Sequence, residues 1–401
     1  MPEFVRRPLG RVAARTTLLL TPVLLVAIIA GFAYRAGRGP AAHQSPSSPA
    51  PSLPRAPSAI VHASRQLPTQ VQVTIAEQAP MKAVPPSFLG ISTEYWALPV
   101  WARHLPLLDR VLSLIRGDGP VQLRIGGDSA DHVFWSPVRE LPEWVFELTP
   151  GWLNEVSRIV HRSHVRLILD LNLVTASPRN ATRRASTAVA KLPHGSILGF
   201  EIGNEPDIYS QTVWQSTTRG GVGSRVLPRQ ITADSYVIAF AAYARALARV
   251  APGVPLLGPA LAEPGLHVNW VSALLASPHP GLSAVTAHRY PFSACSQPGT
   301  QTYPTIRRVL SEAATAGMAQ TVRPAVRLAA RAGVPVRLTE LNSVTCGGTS
   351  GVSNTFATAL WAPPSLSTSG ETLTIEESMT LRARTETAGD VGVEHEWSGS
   401  C

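Results

Sequence analysis

Two acidic side chains stand out by type and position. The segment ILGFEIGNEPD, residues 197–207, is an apolar run that ends abruptly in Glu201, Asn204, Glu205 and Asp207. A second apolar run, VPVRLTELNS at 334–343, ends in Glu340 and Asn342, and Glu340 lies 135 residues after Glu205. One glutamate at a strand end is ordinarily a solvated loop charge. Two at matched ends of buried strands suit a shared task. Facing carboxylates across a pocket are what cleavage of a glycosidic bond requires: one protonates the departing oxygen, the other attacks or activates water.

The surrounding pattern supplies the scaffold for such a pair. From about residue 68, short apolar runs alternate with longer amphipathic segments. The runs are SFLGISTEYW (87–96), VQLRIGGDSAD (121–131), VRLILDLNL (165–173), SILGFEIGNEPD (196–207), VPLLGPALAE (254–263), LSAVTAHRYP (282–291) and VPVRLTELNS (334–343). Seven strands alternating with helices predict a parallel sheet. Most runs end in polar or aromatic groups: Glu94 and Tyr95, Asp128 and Asp131, Asn172, Glu205, Glu263, His288 and Tyr290, and Glu340. An open doubly wound sheet gathers polar groups at one crevice. A (β/α)8 barrel gathers them from every strand on one face, so the fold class expected is an α/β, TIM-barrel-like domain.

At these residues the chain resembles a known family. EIGNEPD followed by RLTELNSVTCGG resembles the acid/base and nucleophile signatures of retaining barrel glycosidases. With FLGISTEYWALP, LRIGGDSADHVFW and HRYPFSAC, the pattern over residues 87–361 is similar to glycoside hydrolase family 79, the β-glucuronidase and heparanase-like group. The resemblance implies Glu205 as general acid/base and Glu340 as nucleophile. It implies Asn204 beside the sugar 2-hydroxyl, Tyr290 on the nucleophile, and backbone N–H groups of Gly347 and Gly348 on a uronic-acid carboxylate. The substrate it implies is a uronic-acid glycoside, with no cofactor and no metal. By position alone, Gly347-Gly348 reads equally as a turn. Glu94 and Asp128 are further candidates for the sugar pocket, and His288 a weaker one. Two alternatives stay open: a β-glycosidase for a neutral sugar, and an inactive carbohydrate-binding surface protein.

Composition bounds the rest. The chain of 401 residues has a net charge of +9, which suits an anionic ligand, but no Lys/Arg block is interleaved with aromatics, so nucleic acid is not an expected partner. Three cysteines are too few for a disulfide scaffold or a zinc cluster; Cys295 and Cys346 either pair in an exported protein or are two buried thiols. Arg6, Arg7, Arg11 and Arg15 precede Thr16 to Tyr34, 19 residues without a charge. Residues 1–35 therefore read as a signal peptide or membrane anchor, placing the remainder outside the cytoplasm. Residues 36–67, rich in Pro, Ser and Ala, read as a linker, and 68–361 as the barrel. Pro363-Pro364 is expected to break the following helix. Residues 362–401, acidic and poor in apolar runs, read as an atypical, disordered tail of the kind out-of-frame translation produces. Strand eight and the C-terminal β-sandwich of the family are accordingly expected to be missing.

Overall fold

The computed structural model describes residues 87–137, 146–175, 177–210, 231–372 and 377–380, all within one unit, Gln78–Cys401. The expected leader (1–35) and linker (36–67) lie outside the described residues. Among the described residues no helix is long and apolar enough to cross a membrane.

Each of the seven apolar runs is a strand: β1 (Leu89–Glu94), β2 (Gln122–Gly126), β3 (Arg166–Leu171), β4 (Ile197–Ile202), β5 (Leu256–Leu261), β6 (Leu282–Arg289) and β7 (Val336–Leu341). They are parallel neighbours in chain order, with β1 beside β2 and β7 beside β6. Seven strands leave the cylinder nearly closed, with one gap between β7 and β1. A four-residue strand, β8 (Glu377–Thr380), fills it. Its backbone pairs in parallel with β1, Leu89 opposite Glu377 and Ser92 opposite Thr380, and with β7 at Leu338 and Leu341. The expectation that strand eight is missing is corrected here: the acidic, apolar-poor composition misled because a closing strand is held by backbone hydrogen bonds on both sides. This eighth strand is shorter than the six residues of β1 or β7.

The helices follow the same logic. α1 (Leu98–Arg103) and α2 (Leu105–Ile115) follow β1, and α3 (Pro150–Ser163), α4 (Pro178–Lys191), α5 (Ala233–Leu247) and α6 (Val268–Ala276) follow β2 to β5 in turn. Starts are written in the sequence. Thr149 and Ser177 cap α3 and α4 by accepting the N–H of Trp152 and Asn180, each just before a proline at the first helical position. Thr232 opens α5 with a reciprocal capping box to Ser235. After the short α7 (Ile306–Val309), α8 (Ala316–Arg331) buries Met318, Ala319, Val322, Ala325 and Ala329 against β6 and β7.

The last helix, α9 (Phe356–Thr372), departs from expectation by running through Pro363 and Pro364. An interior proline costs a helix about 3 kcal/mol. Tertiary packing opposes that cost: Ala357 and Trp361 are buried in a cluster with Val309, Met318, Leu341 and Val344, and Trp361 Nε1 donates to the Ala314 carbonyl at 2.8 Å. Ser365 Oγ also donates to the Trp361 carbonyl at 2.8 Å.

Candidate active site

Alternation along the strands decides what enters the barrel. On β2, Leu123 and Ile125 face the helices while Arg124 points inward; on β4, Phe200 and Ile202 point out and Glu201 in. Arg124 is fully buried and is the hub of the interior. Its guanidinium bonds to Glu201 (2.5 Å), Asp170 (3.0 Å), Glu340 (2.8 Å), Asn204 (3.0 Å) and Ser92 (3.1 Å). Thr339 completes the layer by donating to Glu201 at 2.7 Å. Three carboxylates around one cation are too many negative charges for a dry site. Burial, offset only in part by Arg124, raises Asp170 well above the usual aspartate range, and the neighbouring Glu201, Asp131 and Glu340 charges add to the rise.

Glu340 reaches this layer through a bulge. Leu338 pairs with Ala287 and Glu340 with His288, so Thr339 is skipped in the ladder. Without that extra residue, Thr339 and Glu340 would face opposite ways; with it both side chains turn inward. Tyr290 Oη donates to Glu340 Oε1 at 2.5 Å and Arg124 Nη1 to Oε2 at 2.8 Å. Burial alone would raise Glu340, but the charges of His288 and Arg124, with hydrogen bonds from Tyr290 and Arg124, outweigh it and hold the carboxyl below its ordinary value.

Glu205 arrives by a sharp turn. Gly203 (φ +81°) and Glu205 (φ +51°) are both left-handed, and the Glu205 N–H is pinned to the Ala260 carbonyl at 3.0 Å. A non-glycine residue held there is strained, and such strain concentrates at sites of function. Burial pushes Glu205 up to about 7. His288 opposes the rise, while Glu340 and Asp128 add to it. His288 lies between the two glutamates, its Nδ1 3.0 Å from Glu205 Oε1 and 4.0 Å from Glu340 Oε2. One carboxylate oxygen of each glutamate and one ring nitrogen of His288 all lie within 4.8 Å of one another. Three such groups are the minimum of a metal site. The Arg124 guanidinium against Glu340 already supplies a fixed cation there, which disfavours a second one.

The remaining candidates divide. Glu94 points to the same region: its carboxylate takes the N–H and hydroxyl of Ser129 and is pushed up to about 7 by burial, Asp128 and Glu340. It comes that close because residue 127 is glycine (φ +74°), where an added Cβ would stand 2.3 Å from Glu94 Oε1. Asp128 is exposed beside it, within 3.4 Å of Asn204 Nδ2. Asn204 is buried, its carbonyl oxygen taken by Arg124. The exits of β6 and β7 are tied together by a two-residue ribbon, Phe292–Ser293 with Val344–Thr345, and by a Cys295–Cys346 disulfide with Cα atoms 5.8 Å apart. In the turn that follows, Gly348 donates its N–H to the Thr345 carbonyl at 3.3 Å, while the Gly347 N–H makes no bond among the described residues.

Other polar residues of the strand ends are structural. Asp207 accepts the N–H groups of Ala262 and Glu263 and meets His267, and Asp131 accepts those of Leu173 and Val174 and the Tyr209 hydroxyl. Sequence reasoning missed Arg124 and the place of His288 between the two glutamates. The signal was there: Arg124 is the one charge inside VQLRIGG, and a charge in a fully buried strand requires a partner.

No family model matches this chain, and no curated protein matches it either. Solved structures do. A 4-O-α-L-rhamnosyl-β-D-glucuronidase from Fusarium oxysporum 12S is 17% identical with a TM-score of 0.54, over 74% of this chain and 63% of that one. A family 51 α-L-arabinofuranosidase from Bifidobacterium longum is 16% identical with a TM-score of 0.51, over 76% of this chain and 69% of that one. This chain thus spans less than two thirds of the length of the glucuronidase. At such identities the likeness is one of fold, the TIM-barrel architecture that glycoside hydrolases use.

Proposed function

We propose that this protein is a retaining glycoside hydrolase working by double displacement, with Glu205 as acid/base and Glu340 as nucleophile. The observation that carries the reading is the approach of one oxygen of each carboxylate to within 4.8 Å of the other, which suits the close spacing of retaining sites rather than the wider, water-filled spacing of inverting ones. Their environments are split as the chemistry needs. A carboxyl raised to about 7 still holds a proton for the leaving oxygen near neutrality. A carboxyl held low by Arg124, His288 and Tyr290 is an ionised nucleophile.

In the first step the Glu340 carboxylate attacks the anomeric carbon as the C–O bond breaks, and the departing oxygen takes the Glu205 proton. The product is a glycosyl ester on Glu340. Its formation removes the negative charge that helps to raise Glu205, so Glu205 falls in pKa as its role changes to base. It then takes a proton from water, whose oxygen attacks the anomeric carbon and frees Glu340.

The substrate we propose is a β-linked uronic-acid glycoside. The family resemblance supports this, as does the basic balance of the chain. So does the N–H of Gly347, which makes no bond among the described residues, at an exposed position where the chain has no side chain to interpose. One fold neighbour is itself a glucuronidase. The basic flank and uncharged run within residues 1–35 support a location outside the cytoplasm, secreted or anchored to the membrane. The test is hydrolysis of a chromogenic β-glucuronide beside the matching β-glucoside. A preference for the glucuronide, abolished in Glu340→Gln, is expected. Turnover of the glucoside alone would remove the uronate assignment, and full activity of Glu340→Gln would remove the mechanism.

A further inference from the structure

The end of β6 serves two sides. His288 and Tyr290 face the two glutamates, so by alternation Arg289 faces the helical layer. There, with Pro291 and Phe292, it lines a separate cavity of about 490 Å³. Four features give this cavity one chemical character. Arg289 Nη1 bonds to Glu263 at 2.8 Å, yet its Nε is buried and has no hydrogen-bond partner among the described residues. Arg308 also lines it, its Nη1 donating to the Thr300 and Tyr303 carbonyls. Gly317, in the first turn of α8, also lines the cavity, and no side-chain hydrogen bond caps that 16-residue helix, so its positive dipole end lies beside the space. Thr302 adds a hydroxyl at the rim.

Two guanidinium groups, an unpartnered buried donor and an uncapped helix start favour an oxyanion over a neutral or cationic ligand. We propose that this cleft is a second binding site, for the carboxylate or sulfate group of an acidic carbohydrate, distinct from the pocket around Glu205 and Glu340. The choice of carbohydrate rests on the glycosidase reading; the oxyanion chemistry does not.

The experiment is calorimetric titration of the full-length protein carrying Glu340→Gln, so that no turnover occurs. The probes are sodium sulfate at constant ionic strength and a tetrasaccharide of alternating glucuronic acid and N-acetylglucosamine. The parent should bind two equivalents of tetrasaccharide. Arg289→Met should weaken the cleft equivalent, and sulfate, at least tenfold. Gly317→Asp should do the same through a fixed carboxylate. An added Cβ there meets nothing closer than Ala313 Cβ at 3.7 Å, and an acidic residue in a first turn stabilises a helix, so this variant keeps the fold. One equivalent of tetrasaccharide in the parent that persists unweakened in folded Gly317→Asp, or two in folded Gly317→Asp, overturns the proposal. Binding of sulfate without a second equivalent of the tetrasaccharide overturns the carbohydrate assignment. Loss of activity in wild type with two-site binding intact would fault the glycosidase reading and leave the cleft standing.

Discussion

Replacing Tyr290 with Phe removes the hydroxyl that donates to Glu340, the proposed nucleophile. The hydroxyl donates to Glu340 Oε1 at 2.5 Å, and Glu340 is nearly buried, with 13% of its side chain exposed. A hydrogen bond to a charged group contributes about 1.5–3 kcal/mol. Arg124 and His288 remain, so Glu340 stays ionised at neutral pH, but its stabilisation falls by roughly that amount. One pKa unit corresponds to about 1.36 kcal/mol. The acid limb of kcat/KM should therefore move up by roughly one pH unit or more, while the alkaline limb, which reports Glu205, moves little. Holding Glu340 in line for attack also depends on this bond, and kcat should fall by about 10- to 100-fold. The assay is the pH profile of a chromogenic glycoside for wild type and Tyr290→Phe. An unmoved acid limb with unchanged kcat would refute the account of how Glu340 is kept ionised.

Other expectations follow from the same geometry. Wild-type kcat/KM should decline as pH rises through about 7, because Glu205, raised by burial, is protonated below that value and loses its proton above it; a flat profile from 5 to 9 would contradict this. Glu205→Ala should lose about 10²–10⁴-fold on a poor leaving group but far less on a dinitrophenyl glycoside, and added azide should yield a glycosyl azide. Arg124→Met strands Glu201 and Asp170 in a dry core and should destabilise the fold by about 3–5 kcal/mol, read by chemical denaturation. Gly127→Ala should displace Glu94 and cost about 1–3 kcal/mol through its positive φ, with KM rising more than kcat falls.

How much of this was legible in the sequence depends on the kind of signal. The strands were, because burial on both faces demands continuous apolar runs, and the polar residues at their ends located the face that carries the candidate site. Glu205, Glu340 and Tyr290 were legible as types at strand ends, and the structure brings all three together. The bulge at Thr339 was not, since nothing local in VRLTEL marks which residue will be skipped; the ladder with β6 decides it. The Arg124 hub was half legible, as one charge in an apolar run, but its carboxylate partners come from β3, β4 and β7 and meet only through barrel closure. The run of α9 through two prolines and the closing strand β8 run against local propensity, and long-range packing and backbone pairing outweigh it.

The central claim is that Glu340 forms a covalent bond to the sugar. Incubation with a 2-deoxy-2-fluoro glycoside bearing a good leaving group, followed by peptide mass spectrometry, tests it directly. The account predicts one equivalent of fluoro-sugar on the peptide containing Glu340, and none in Glu340→Gln. A label on another residue, or turnover of ordinary substrate with no trapped ester, would contradict it.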